Sequence, residues 1–153
     1  MYGRRNDLVI VPCGRSKIWK KKSNAGPTPA QEAYTGAPFK VNREYAEASG
    51  DRWVILSAKY GFIEPTTLIT EYEVTFKKKA TRPVTVEMLA QQLRDSSLHS
   101  FERVIVLGGK EYRAIVQEAF ASTPVQLVFP FCGLTVGRAM HAAKVAITQK
   151  ATT

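Results

Sequence analysis

Four short apolar runs punctuate the chain, each stopping near a glycine or another small residue. Leu8 to Val11, Arg52 to Ala58, Arg103 to Gly109 and Val125 to Phe131 place valine, isoleucine and leucine on consecutive positions, as strands buried on both faces of a parallel sheet do. Between these runs the apolar spacing becomes helical. Phe39, Tyr45 and Ala46 recur along Ala37 to Ser49, with Gly50 as a stop. Val86, Leu89, Ala90 and Leu93 mark an amphipathic helix reaching Leu98, capped by Thr85. Ile115, Val116, Ala119 and Phe120 do the same from Lys110 to Ser122, and Thr135 to Lys150 reads as a closing helix. Strands alternating with helices predict an α/β fold of three layers, α/β/α, around a mainly parallel central sheet of about four strands.

The remaining stretches are less periodic. Lys20 to Pro29 has the glycine, proline and lysine of a mobile connection, a candidate lid. Thr70 to Phe76 alternates like an edge strand, and Lys77 to Pro83 resembles a solvated basic turn. With 153 residues and 44% hydrophobic content the chain can build one core, so a single domain spanning 1–153 is expected.

Charge narrows the choice of partner. Lys and Arg total 22 against 13 for Asp and Glu, a formal net charge of +9, which favours nucleic acid, a nucleotide or a nucleobase compound over a membrane. A membrane partner is not expected, because no basic helix carries a large apolar face and the first apolar run ends at Pro12. The cysteines are Cys13 and Cys132, without a Cys-x-x-Cys pair, and His99 and His141 are far apart, so neither a zinc site nor any other metal or cofactor is implied. Reduced thiols and a cytoplasmic location are expected.

Candidate chemistry gathers at the predicted strand ends, PCGRSK, SAKYG, GGKEY and PFCG, which in such a sheet open onto one crevice. Cys13 is either a packed small residue or a nucleophile, with His141 as a conceivable tertiary base; Gly14 and Ser16 follow it. Lys17 is the first candidate nucleophile or an anion clamp, set against the reading of a solvated loop lysine. Lys59 completes the catalytic candidates, while Ser57 and Tyr60 orient a substrate, Tyr60 by stacking or by its phenol. Gly109, Lys110 and Glu111 open a helix whose free amides could take a negative group, although the spacing is not that of a Walker loop. Tyr34, Thr35 and Asn42 form a further polar set suited to a base-sized pocket.

Taken together, PCG with Lys17, AYTG, Phe39 to Tyr45, WVILSAKYGFI and GGKEY resemble a family of small bacterial and phage proteins grouped as a domain of unknown function, over nearly the whole chain. More distantly, Pro12, Cys13 and Lys17 are similar to the Pro-Cys, three residues, Lys motif of the archaeosine synthase catalytic domain, where this chain continues with Ile18 and Trp19 instead of Pro-Tyr. The wider set of uracil-DNA-glycosylase-like folds and peroxide-stress proteins implies a nucleobase or nucleic-acid partner. The expectation is therefore an enzyme on a nucleobase, nucleoside or nucleic acid, with transferase, lyase or glycosidase-type chemistry at the base. Its rival is a non-catalytic nucleic-acid-binding protein that uses the lysine runs Lys20 to Lys22 and Lys77 to Lys79.

Overall fold

The computed structural model describes residues 6–151. Strand β1 (Asp7–Pro12) is the centre of the molecule. Its alternation sends Val9 and Val11 to one face and Leu8 and Ile10 to the other, all buried, because helices cover both sides. The further elements are β2 (Thr28–Pro29), α1 (Ala30–Ala33), α2 (Ala37–Ser49), β3 (Arg52–Ser57), β4 (Gly61–Ile63), β5 (Leu68–Ile69), α3 (Val86–Asp95), β6 (Arg103–Val106), α4 (Lys110–Ala119), β7 (Gln126–Val128) and α5 (Val136–Ala151).

The main sheet runs β4-β3-β1-β6-β7, with β3, β1, β6 and β7 parallel and β4 antiparallel on β3. One core lies under α2 and α5, where Phe39, Tyr45 and Ala143 meet Val9, Val11 and Ile55. The other lies under α3 and α4, where Leu89, Leu93, Val116 and Phe120 meet Leu8, Ile10, Val54 and Val104. This is the expected three-layer α/β/α arrangement, with five strands in place of about four.

The chain first moves from β1 outward to β3, then returns past β1 to β6 and β7. That reversal puts α3 and α4 on the opposite face from α2, as right-handed crossovers require. It also makes the gap between the carboxyl ends of β1 and β6 the switch point of the sheet, where open α/β folds hold ligands. At the other end of the same two strands Arg103 grips Asp7 through two hydrogen bonds of 2.9 and 2.5 Å, tying β1 to β6 in register.

Three local expectations are corrected. Thr70 to Phe76 is not an edge strand; that edge belongs to β4, which returns immediately after β3 through Ala58, Lys59 and Tyr60. The tight return requires Gly61, whose φ of +76° suits glycine and whose missing Cβ would lie 2.1 Å from Gln92 Oε1. Lys20 to Pro29 is not a free lid at its far end, because the Trp19 indole donates to the Gly26 carbonyl at 2.8 Å and β2 pairs with β5. The Val125 to Phe131 strand is shorter than expected, stopping at Val128 ahead of Pro130, which has no donor for a ladder.

Candidate functional site

Cys13 leaves β1 with its amide donating to the Leu56 carbonyl of β3 at 3.0 Å, so the thiol is fixed at the carboxyl edge of the sheet. Its Sγ lies 3.3 Å from the Tyr112 hydroxyl in the first turn of α4. That contact spans the β1/β6 switch point. The turn before α4 can approach so closely because Gly108 has a φ of +116°, and a Cβ there would sit 3.0 Å from Pro12 Cγ.

Four residues on, Lys17 pairs with Tyr34 through an isolated antiparallel bridge, and Thr35 donates its amide to the Ser16 carbonyl at 3.0 Å. The Lys17 ammonium lies over the Tyr72 ring, 4.6 Å from its centroid. The Tyr72 hydroxyl is 2.6 Å from that of Tyr34 and accepts from Ser57 Oγ at 3.1 Å. Ser57 Oγ accepts in turn from the amides of Lys59 and Tyr60 at 3.2 and 3.1 Å, which is how the end of β3 holds this chain of hydroxyls. Ser57, Tyr34 and Tyr72 are buried and form a floor; Cys13, Lys17, Tyr60 and Tyr112 are half-buried and form the accessible part.

Electrostatics give this cluster a specific character. Burial, reinforced by the nearby Cys13, raises the pKa of Tyr34, Tyr72 and Tyr112 well above the ordinary phenol value, so all three keep their protons at neutral pH. Burial lowers the pKa of Lys17, against the opposing pull of Cys13, Glu73 and Glu71. The acidic neighbours favour the ammonium and burial opposes them, burial being the larger effect. Neutral hydroxyls and aromatic faces suit a planar, uncharged heterocycle, while a thiol and an amine supply two nucleophiles.

The other predicted residues fall around this centre. Gly14 packs against Tyr34 and Phe39, and Ser16 lies beside Gly36 at the start of α2. Lys59 is exposed, its ammonium 5.2 Å from the centroid of the Tyr60 ring and on the rim. Gly109 is the N-cap of α4, with Lys110 and Glu111 exposed on its first turn next to Tyr112. Asn42 is half-buried on α2, one turn beyond Phe39. His141 is exposed on α5, and the thiol's hydrogen-bond partner is the Tyr112 phenol, not an imidazole. Both cysteines are free thiols, and Cys132 is exposed. The PFCG end stays outside the polar cluster, since Phe131 packs edge-on against Tyr45 with centroids 5.2 Å apart.

Two members were not singled out by sequence reasoning. Tyr112 ends the GGKEY motif, and its place one turn into a helix that follows a strand end was the available signal. Tyr72 sits in the stretch whose alternation predicts an edge strand, and only its aromatic character between Glu71 and Glu73 set it apart from that pattern. A groove along α2 is lined by Lys40, Arg43, Glu44 and Glu47, none of them a member of this cluster, and its Arg43 is paired with Glu47 at 3.4 Å.

The fold and the cluster define a three-layer α/β protein with a thiol at the switch point of its sheet and an amine and protonated phenols beside the end of β3. The chain belongs to the family of unknown function DUF6884, whose model matches residues 8–144. It is 38% identical over 110 residues to the uncharacterized protein YfjM of Bacillus subtilis (strain 168), covering 71% of this chain and 73% of that protein. The crystal structure of AF0587, a protein of unknown function, matches with a TM-score of 0.46 and 14% identity over 94% of this chain. This chain spans 44% of AF0587's length. No helix among the described residues is long and apolar enough to cross a membrane.

Proposed function

We propose that this protein is an enzyme acting on a nucleobase, nucleoside or nucleic acid, making or breaking a bond at the base by transferase, lyase or glycosidase-type chemistry. The observation that carries this reading is that Cys13, in contact with Tyr112 across the β1/β6 switch point, is an electrostatic neighbour of Lys17 and of the Tyr34, Tyr72 and Ser57 hydroxyls at the adjoining end of β3. In this reading Lys17 or Cys13 attacks, the half-buried rings of Tyr60 and Tyr112 flank the base, and the hydroxyls recognise its edge. Exposed cations on the rim, Arg15, Lys59 and Lys110, face a phosphate or sugar outside. A base within a duplex would have to be flipped out or presented in a single strand.

The test is thermal stabilisation by a panel of bases, nucleosides, nucleotides and short single-stranded and duplex nucleic acids at two salt concentrations, followed by turnover assays on the best ligand. A salt-insensitive shift with one nucleobase compound, and turnover abolished in Lys17→Met or Cys13→Ser, is the expected result. A shift with polymers alone that disappears in high salt would instead favour a non-catalytic binder, a reading supported by the exposed Lys20 to Lys22 and Lys77 to Lys79 runs.

A further inference from the structure

Lys17 is unlike every other lysine among the described residues, all of which are exposed. Its backbone is bridged to Tyr34, its ammonium rests on the Tyr72 ring at 4.6 Å, and the Tyr34 and Tyr72 hydroxyls meet at 2.6 Å. These three contacts close a ring around one long side chain. The salt bridges of the described residues join Arg43, Arg52 and Arg103 to carboxylates and leave Lys17 out. A half-buried lysine that rests on an aromatic ring and makes no salt bridge is not accounted for as an ion-pair cation.

We propose that Lys17 is an imine-forming lysine held by a Tyr34 and Tyr72 clamp, and that the site takes an aldehyde of the kind a sugar presents at C1′ once its base has left. The proposal rests on the base-directed reading of the site and names its electrophile. The groups facing the amine are Cys13 from the end of β1, Glu71 and Glu73 from the segment carrying Tyr72, and Lys20 from the following loop; burial outweighs the acidic members and favours the neutral, nucleophilic amine. In the step itself the Nζ lone pair forms a C–N bond to the carbonyl carbon, and the C=O becomes a hydroxyl. That oxygen then leaves as water, both amine protons departing with it, and a C=N bond remains. No oxidant or reductant is needed. Holding the amine in one place removes the entropy that a free lysine would lose on attack.

Reductive trapping tests this directly. The full chain is treated at neutral pH with glycolaldehyde and cyanoborohydride, and the alkylated lysines are mapped by peptide mass spectrometry; a parallel reaction uses a single-stranded oligonucleotide carrying one abasic deoxyribose. Lys17 is expected to react several-fold faster than the exposed Lys21 and Lys78, because its amine is held against the Tyr72 ring and burial lowers its pKa. Lys17→Arg should abolish the fast site, and Tyr72→Leu should slow Lys17 to the rate of its exposed neighbours. Labelling of Lys17 no faster than Lys21 in the parent protein overturns the proposal, whether or not the Tyr72 variant folds. Fast glycolaldehyde labelling without any cross-link to the abasic strand upholds the imine lysine and removes the sugar aldehyde as its substrate. A nucleobase ligand in the thermal panel with slow Lys17 labelling does the reverse, leaving the base-directed site and removing its imine.

Discussion

Among single residues, Tyr72 carries the most consequences. Its ring supports the Lys17 ammonium and packs edge-on to Tyr60 with centroids 5.6 Å apart, while its hydroxyl joins Tyr34 to Ser57. Tyr72→Phe keeps both ring contacts and removes a hydroxyl from two buried partners, which costs about 1–3 kcal/mol because Tyr34 loses its 2.6 Å partner and Ser57 loses the acceptor of its proton. Urea unfolding of the variant measures that loss. The same phenols fix the alkaline behaviour. Burial, then the nearby Cys13, raises Tyr72 above its ordinary value of 10.0, so the folded phenol keeps a proton that the unfolded one gives up. The contribution is complete below the unfolded pKa and is lost as pH rises beyond it. Stability should therefore decline above about pH 10, more shallowly in Tyr72→Phe, as denaturant titrations from neutral to alkaline pH will show.

At the scale of elements, β4 and α3 hold the loop that carries Tyr60. Gln92 on α3 accepts from the Phe62 amide at 2.9 Å and donates to the Tyr60 carbonyl at 3.0 Å, so one side chain satisfies a strand edge that would otherwise be open. Gln92→Ala should cost about 1–3 kcal/mol from these two bonds and raise amide exchange at Tyr60 and Phe62, measured by hydrogen exchange. Elements of this kind divide what the sequence makes legible from what it hides. The range of α2, the Thr85 cap of α3, which accepts from the Met88 amide at 3.1 Å, and the buried strands all follow from local periodicity and capping chemistry. β4 is three residues long and depends on one glycine and a distant glutamine, too short for any period to register. The site divides in the same way. Cys13, Lys17, Ser57 and Tyr60 are legible because strand ends in a parallel sheet share one edge. Tyr72 arrives through a segment of irregular backbone, and nothing in its local sequence says which strand end it will meet.

In the whole molecule, charge and chemistry are separated. The half-buried amine has Cys13, Glu73, Lys20 and Glu71 as its electrostatic neighbours, whereas the exposed Lys21, Lys22 and Lys77 to Lys79 are not among them. Each tract begins beside a residue tied to the site: Lys20 is close enough to influence Lys17, and Lys77 follows Phe76, whose ring meets Tyr112 edge-on with centroids 5.6 Å apart. An arrangement with neutral hydroxyls at the centre and lysines on two flanks suits a base inside and phosphates outside. Under the proposed function, replacing Lys77, Lys78 and Lys79 together by Ala should weaken binding of a single strand and lower the salt slope of its affinity by about 0.7 for each phosphate that is no longer neutralised. Affinity for a free nucleobase should stay unchanged in the same variant, because no tract residue enters the central cluster. Fluorescence anisotropy over a range of salt concentrations separates the two effects, and an equal loss for strand and free base would place the lysines inside the site itself.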